Sequence, residues 1–301
     1  MERTFYSNGK LLLTAEYVVL DGATALAFPT RYGQSLTVEA GNKKGVEWLS
    51  LDSEGHPWFK DFLYFKEGKL QSENNDPIAQ TLLSILRAAL ELQPHFIGPH
   101  TGIRVTTSLD FRRDWGLGSS STLIANIAKW AQIDPFILLE NSFGGSGYDI
   151  AAALSNAPLL YERDAAKPTY RPVHLPWEFK EQLFFVHLKQ KQDSKAGIRR
   201  YKKASVAPQT LRKITDISNK LLLCYSLSDF EALLEAHEAI ISEIIQLPTV
   251  KERLFPDYPN TLKSLGAWGG DFMLATGNKD DQTYFRKKGY TTLLPFSEMI
   301  L

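Results

Sequence analysis

The chain has 301 residues, 44% hydrophobic and 23% charged, enough for one large domain or two ordinary ones with a core that needs no covalent staples. Its 34 Lys and Arg balance its 34 Asp and Glu, so the charge favours neither nucleic acid nor a membrane surface as the main partner. A single cysteine, Cys224, excludes an internal disulfide framework and a cysteine-based zinc site, and the six histidines fall in no metal-ligand spacing.

The N-terminus, MERTFYSNGK, has no apolar segment of a secretory signal, and no apolar run reaches the roughly 20 residues of a spanning helix. A reducing, cytoplasmic setting is expected. From residue 3 to residue 20 the pattern predicts two short strands broken at Ser7-Asn8-Gly9. A strand over Gln34 to Ala40 and a hairpin from Val46–Leu51 and Leu63–Lys66 follow. Asp76-Pro77 opens a helix over 76–92, and Ile103–Thr107 returns as a strand. Helices are expected from Ser119 to about Ala131 and after Asp134-Pro135, with strands at Leu159–Glu162 and Leu183–Leu188. Helical spacing recurs at 208–225 and 229–246; the end reads strand, helix, strand near 271–275, 279–288 and 290–294. The unpatterned, proline-rich stretch 164–181 places a boundary between domains 1–168 and 169–301. Clustered strands and clustered helices read as an α+β chain.

The strongest signal is Asp114-Trp115-Gly116-Leu117-Gly118-Ser119-Ser120-Ser121-Thr122, a glycine-rich turn that opens a helix. Glycines there admit positive φ and close approach of backbone to a phosphate, and the N–H groups of the first helical turn face the anion. It is neither a Walker A loop, since GxxxxGK[ST] is absent, nor a Rossmann fingerprint, since Ser121 stands at the third glycine position. Three further segments bear on it: Asn8-Gly9-Lys10 through Glu16-Tyr17 to Gly22, Ser146-Gly147-Tyr148-Asp149 followed by an alanine run, and Gly266-Ala267-Trp268-Gly269-Gly270-Asp271.

These four segments, in this order, resemble the motifs of the GHMP kinases, and most closely those of mevalonate and phosphomevalonate kinases. Tyr17 and the GSG-x-D form around Asp149 resemble the phosphomevalonate variant. Asn8 stands where proline is usual, Ala15 where glycine is usual, and Trp268 where a small residue is usual. The resemblance implies the GHMP kinase fold: an N-terminal domain related to ribosomal protein S5 domain 2, which binds ATP, and a ferredoxin-like C-terminal domain. It implies ATP and Mg²⁺ as cofactors, a small anionic acceptor as partner, no nucleic acid or membrane partner, and a monomer or homodimer.

By the same resemblance, Asp149 is the catalytic carboxylate and Lys10 the cation beside it. A carboxylate at the acceptor can take the proton lost in phosphoryl transfer, and a lysine there offsets charge on the transferring group. Gly116, Leu117, Gly118, Ser119, Ser120 and Ser121 are the expected phosphate cradle, with Ser120 and Glu140 as magnesium ligands. Glu16, Tyr17, Gly147, Lys191, Ser194, Arg199, Gly266, Gly269 and Gly270 are the expected acceptor contacts. The acceptor is expected to be mevalonate or phosphomevalonate; a sugar or amino alcohol, and a catalytically silent binding protein, stay open as alternatives.

Overall fold

Alternating side chains in RTFYSNGKLL make β1 (Arg3–Leu12) a strand with one buried face. The coordinates are a computed structural model and describe residues 2–163, 168–190, 194–266, 268 and 270–301, with side chains in the helix that starts at Ser194 described from 197 onward. Contacts divide the chain into two units: Met1–Gly9, Tyr32–Arg113 and Leu117–Leu154 form the first, and Lys10–Arg31, Asp114–Gly116 and Ser155–Leu301 form the second.

In the first unit, the long strand β2 (Ala25–Ala40) contributes its second half, joined by β3 (Gly45–Leu51), β4 (Pro57–Lys66), β5 (Lys69–Ser72) and, after α1 (Pro77–Leu92), β6 (Gly102–Leu109). The strand order is β5-β4-β3-β6-β2, with β1 on β2, and only the β3–β6 pair of this path is parallel. Asp76 caps α1 by accepting from Ile78 N, and Pro77 presets its first turn. The apolar face of α1, with Leu82, Leu83, Ile85 and Leu86, then shares a core with Val46, Trp48, Leu63 and Val105 of the sheet. Each such side chain taken out of water contributes about 1.5–3 kcal/mol before the entropy cost. Three more helices complete the unit: α2 (Ser119–Ala131), α3 (Pro135–Ser142), capped by Asp134, and α4 (Tyr148–Leu154).

The break expected at Ser7–Gly9 is absent, and β1 is continuous. Ser7 is buried and donates to Asn126 Oδ1 at 2.8 Å, so the polar residue is satisfied without leaving the strand. No second strand follows either. Ala15 and Tyr17 both take φ +66°, which ends the extended run and turns the chain into a 3₁₀ segment at Val18–Asp21.

In the second unit, the first half of β2 pairs with β7 (Leu159–Glu162), and β7 pairs with β8 (Thr169–Pro172), a strand the proline-rich stretch had hidden. The remaining elements are β9 (Leu183–His187), α5 (Ser194–Tyr201), α6 (Pro208–Leu221), α7 (Leu227–Ile245), α8 (Val250–Leu254), β10 (Leu262–Ser264), β11 (Phe272–Thr276), α9 (Lys279–Lys287), β12 (Leu293–Pro295) and α10 (Phe296–Met299). A fully antiparallel sheet of order β10-β11-β9-β12 carries Phe184, Val186, Met273 and Ala275 against Phe255, Tyr258 and Phe285. Trp177 packs on Phe28, Phe230 and Phe296 at centroid distances of 6.1, 4.7 and 5.9 Å, and its ring N–H donates to Leu221 O at 2.7 Å. No helix among the described residues is long and apolar enough to cross a membrane.

Candidate active site

Within the second unit, three of the four sequence motifs meet at the short segment Asp114–Gly116. Lys10, near the end of β1, donates from Nζ to Gly116 O at 2.9 Å. His187, the last residue of β9, places Nε2 3.0 Å from Asp114 O. Trp115 packs edge-on to Phe272 at 5.5 Å. Asp271, which ends the third motif, lies against Gly116 so closely that a Cβ there would sit 2.2 Å from its Oδ2. Gly116 also has φ +64°, so both its backbone angle and its neighbour require glycine.

A Gly116→Ala substitution is therefore expected to lower the unfolding free energy by about 1–3 kcal/mol, the usual range for a strained backbone residue. Urea unfolding checks it; a midpoint equal to that of the unaltered chain would show that Asp271 moves aside without cost.

The turn continues into the first unit. Gly118, at φ +89°, is the N-cap of α2, and no side chain caps that helix. Ser121 Oγ donates to Gly118 O at 2.8 Å, and Thr122 Oγ1 donates to Gln34 Oε1 at 2.7 Å. Those two hydroxyls are thus bound within the fold, while Ser119 is partly exposed, Ser120 exposed and Leu117 buried. A thirteen-residue helix with an uncapped N-terminus offers N–H groups and the positive end of its dipole to an anion.

Asp149, also in the first unit, sits half-buried in the first turn of α4, with Oδ1 accepting from Ile150 N at 3.1 Å. Gly147, buried at φ +88°, makes the preceding corner. Glu140 is exposed on α3. Ser120 and Glu140 both present oxygen donors, which suit the hard Mg²⁺ ion.

The remaining expected contacts lie in the second unit. Tyr17 is 9% exposed, stacks on Tyr201 at 6.0 Å and accepts a hydrogen bond from Trp268 N at 3.1 Å. Tyr201 in turn donates to Asp21 Oδ2, which ties α5 to the Val18–Asp21 turn. Gly197 of α5 approaches so near that a Cβ would meet the Tyr17 hydroxyl at 2.5 Å. Arg199 is exposed on the same helix. Gly266, at φ +61°, is partly exposed and Gly270 is buried. Lys191, Gly269 and the side chain of Ser194 lie outside the described residues.

Two departures from the motif pattern have physical accommodations. Ala15 adopts the left-handed conformation that a glycine would take there. Trp268 is 4% exposed, and its ring N–H donates to Pro248 O at 3.0 Å, so its bulk packs inward.

Glu16 is 1% exposed and pairs with Lys263; Lys263 also lies 3.0 Å from Glu238 Oε1. Burial outweighs the attraction of Lys263 and lifts the Glu16 carboxyl to about 7. His237 Nε2 accepts from Ala15 N at 2.8 Å and lies 3.4 Å from Glu16 Oε2. Burial, with Lys263 close by, holds its pKa well below that of an ordinary histidine, so this contact is not an ion pair. Glu16, His237 and Glu238 are the one set of three potential metal donors brought together among the described residues, and the Lys263 ammonium already bonds to two of them.

His187, Lys263, His237 and Glu238 stand outside the sequence motifs, and Asp271 lies within the third motif without an assigned role. Of the four outside, only Lys263 carries a signal of its own, a lysine in the otherwise apolar or small run Leu262 to Leu265.

No protein-family model matches this sequence, and no curated protein matches it. Solved structures do match along nearly the whole chain. A Lin0012 protein from Listeria innocua superposes with a TM-score of 0.74 at 15% identity, covering 98% of this chain and 97% of that one. Phosphomevalonate kinase of Streptococcus pneumoniae, in complex with phosphomevalonate and AMPPNP, gives 0.68 at 14% identity, covering 97% and 99%. Mevalonate kinase of L. major, in complex with R-mevalonate, gives 0.64 at 16% identity, covering 95% and 90%.

Proposed function

We propose that this chain, whose fold is that of the GHMP kinases, is an ATP-dependent small-molecule kinase that phosphorylates mevalonate or phosphomevalonate. The observation that carries the reading is the turn around Gly116 and Gly118. Both glycines have positive φ, the helix behind them has no side-chain cap, and Lys10 and Asp271 bear on Gly116. Fold alone would not assign a reaction; this arrangement is suited to the phosphates of a nucleotide. The solved phosphomevalonate kinase with AMPPNP supports the same nucleotide class.

In this reading the N–H groups at the start of α2 hold the nucleotide phosphates. Asp149 accepts the proton when the acceptor is a hydroxyl; the acceptor oxygen bonds to the γ-phosphorus as its bond to the ADP oxygen breaks. Lys10 supplies positive charge at the turn. Ser120 and Glu140 would hold Mg²⁺, which when bound neutralises phosphate charge. Tyr17, Gly147, Arg199, Gly266 and Gly270 would contact the acceptor, together with Lys191, Ser194 and Gly269. The N-terminal part, residues 1–168, would carry ATP. The enzyme would work in the cytoplasm as a monomer or homodimer.

ADP release from Mg-ATP tests this with mevalonate, phosphomevalonate, galactose, homoserine and an acceptor-free blank. Turnover is expected with mevalonate or phosphomevalonate. Turnover with galactose or homoserine alone would move the assignment to a sugar or amino alcohol. Absence of both turnover and ATP binding would sink the kinase reading.

A further inference from the structure

The buried group around Glu16 connects two segments that the proposed reaction needs and that no local sequence feature joins. Glu16 belongs to the corner after β1, His237 and Glu238 to α7, and Lys263 to β10, directly before the third glycine motif. Their exposures are 1, 0, 3 and 0%. Burying Glu16, Glu238 and Lys263 costs considerable free energy, which their mutual contacts and the hydrogen bonds with Ser264 offset. Lys263 binds Glu16, lies 3.0 Å from Glu238, and donates to Ser264 O. Ser264 Oγ donates to Glu238 Oε2 at 3.0 Å.

The corner itself is strained on either side of Glu16, with φ +66° at both Ala15 and Tyr17. Such angles persist only where the surroundings fix them. Here His237 takes the Ala15 N–H, Lys263 holds the Glu16 side chain, and Tyr17 accepts from Trp268 N. The Lys263 ammonium also stands 5.9 Å from the centre of the Trp268 ring. One cation therefore bears on both the Ala15–Tyr17 corner and Trp268, which follows β10.

We propose that Lys263 is a positioning residue: clamped between Glu16 and Glu238, it holds the Ala15–Tyr17 corner and Trp268 together and so sets acceptor affinity. The proposal rests on the kinase reading for the word acceptor, and on the geometry alone for the clamp. The charged and titratable groups facing it are Glu16 and Tyr17 from the corner, His237 and Glu238 from α7, and none of these needs to touch the acceptor for the clamp to act.

The test compares the unaltered chain with Glu238→Gln/Lys263→Met, which removes one charge of each sign and leaves Glu16 in place. With ADP release as the assay, the acceptor KM is expected to rise about ten-fold, equivalent to about 1.4 kcal/mol, while the KM for ATP changes less than about two-fold. Hydrogen exchange is measured in parallel over 14–22 and 262–270, with α2 as the internal reference. Exchange is expected to quicken in the first two segments and stay constant in α2. Glu238→Gln alone, which keeps the Glu16–Lys263 pair, covers the case in which the double variant does not fold; its acceptor KM is expected to rise about three-fold, with faster exchange in the same two segments. An unchanged acceptor KM in either folded variant overturns the proposal. If the unaltered protein neither turns over an acceptor nor binds ATP, the kinase reading fails by itself; wherever no acceptor KM can be read, unchanged exchange at 14–22 and 262–270 overturns the clamp.

Discussion

Asp149→Asn is expected to lower kcat by about 10²–10⁴-fold, the usual share of a positioned acid or base, while ATP affinity stays within about two-fold. Asparagine keeps the shape of the side chain and an oxygen for the Ile150 N–H, which Asp149 Oδ1 accepts at 3.1 Å, so α4 should start unchanged. What asparagine lacks is a carboxylate that can take up a proton. A loss confined to kcat would mean that the group acts in the transition state and not in binding. The measurement is steady-state ADP release with the best acceptor of the panel, beside direct ATP binding. Turnover near that of the unaltered chain would remove Asp149 from the mechanism. An equal loss of ATP binding would instead assign it a structural role at the Gly147–Asp149 corner.

Lys263→Met is expected to cost the second unit about 3–5 kcal/mol, because removing one partner of a buried pair leaves the other charge uncompensated. Glu16 and Glu238 would then face each other at 1 and 3% exposure with no cation between them. The sign of the pH dependence follows from their raised carboxyl pKa values. In the unaltered chain burial already lifts Glu16 from 4.5 to about 7, and Glu238 moves in the same direction for the same reason. A group whose folded pKa is raised binds more protons folded than unfolded between those two values, so stability falls as pH rises through that window. Glu16 thus favours the fold below about pH 4.5 and loses that contribution by about pH 7. Without Lys263 both carboxyls rise further, so the defect should be larger at pH 8 than at pH 5. Urea unfolding at the two pH values measures it. Equal destabilisation at both would mean that packing, not charge, is what Lys263 supplies.

Motifs whose information is local were legible in the residues. Asp76-Pro77 and Asp134-Pro135 each announce a helix start, because a short acceptor side chain and a preset φ act within two residues, and both helices form. The glycine turn before Ser119 was readable for the same reason: positive φ at Gly116 and Gly118 is a property of single residues. The structural matches show the fold that the four motifs implied.

Tertiary structure decided what single-residue preferences do not encode. Nothing local marks Ser7 as a strand residue; it stays in β1 because Asn126, 119 positions away, accepts its hydrogen bond. Ala15 resists the left-handed region by itself and adopts it because His237, 222 positions on, holds its N–H. Trp268 turns inward because Pro248 O and the Tyr17 hydroxyl take its two N–H groups. Glu16 reads in the sequence as a motif carboxylate open to a ligand, yet its partner is Lys263, 247 positions away. A periodicity reports which face of an element is buried; it carries no record of which distant charge will meet it there. That pairing is fixed only when the chain closes, since the cost of burying each charge is met by a partner the fold alone brings within reach.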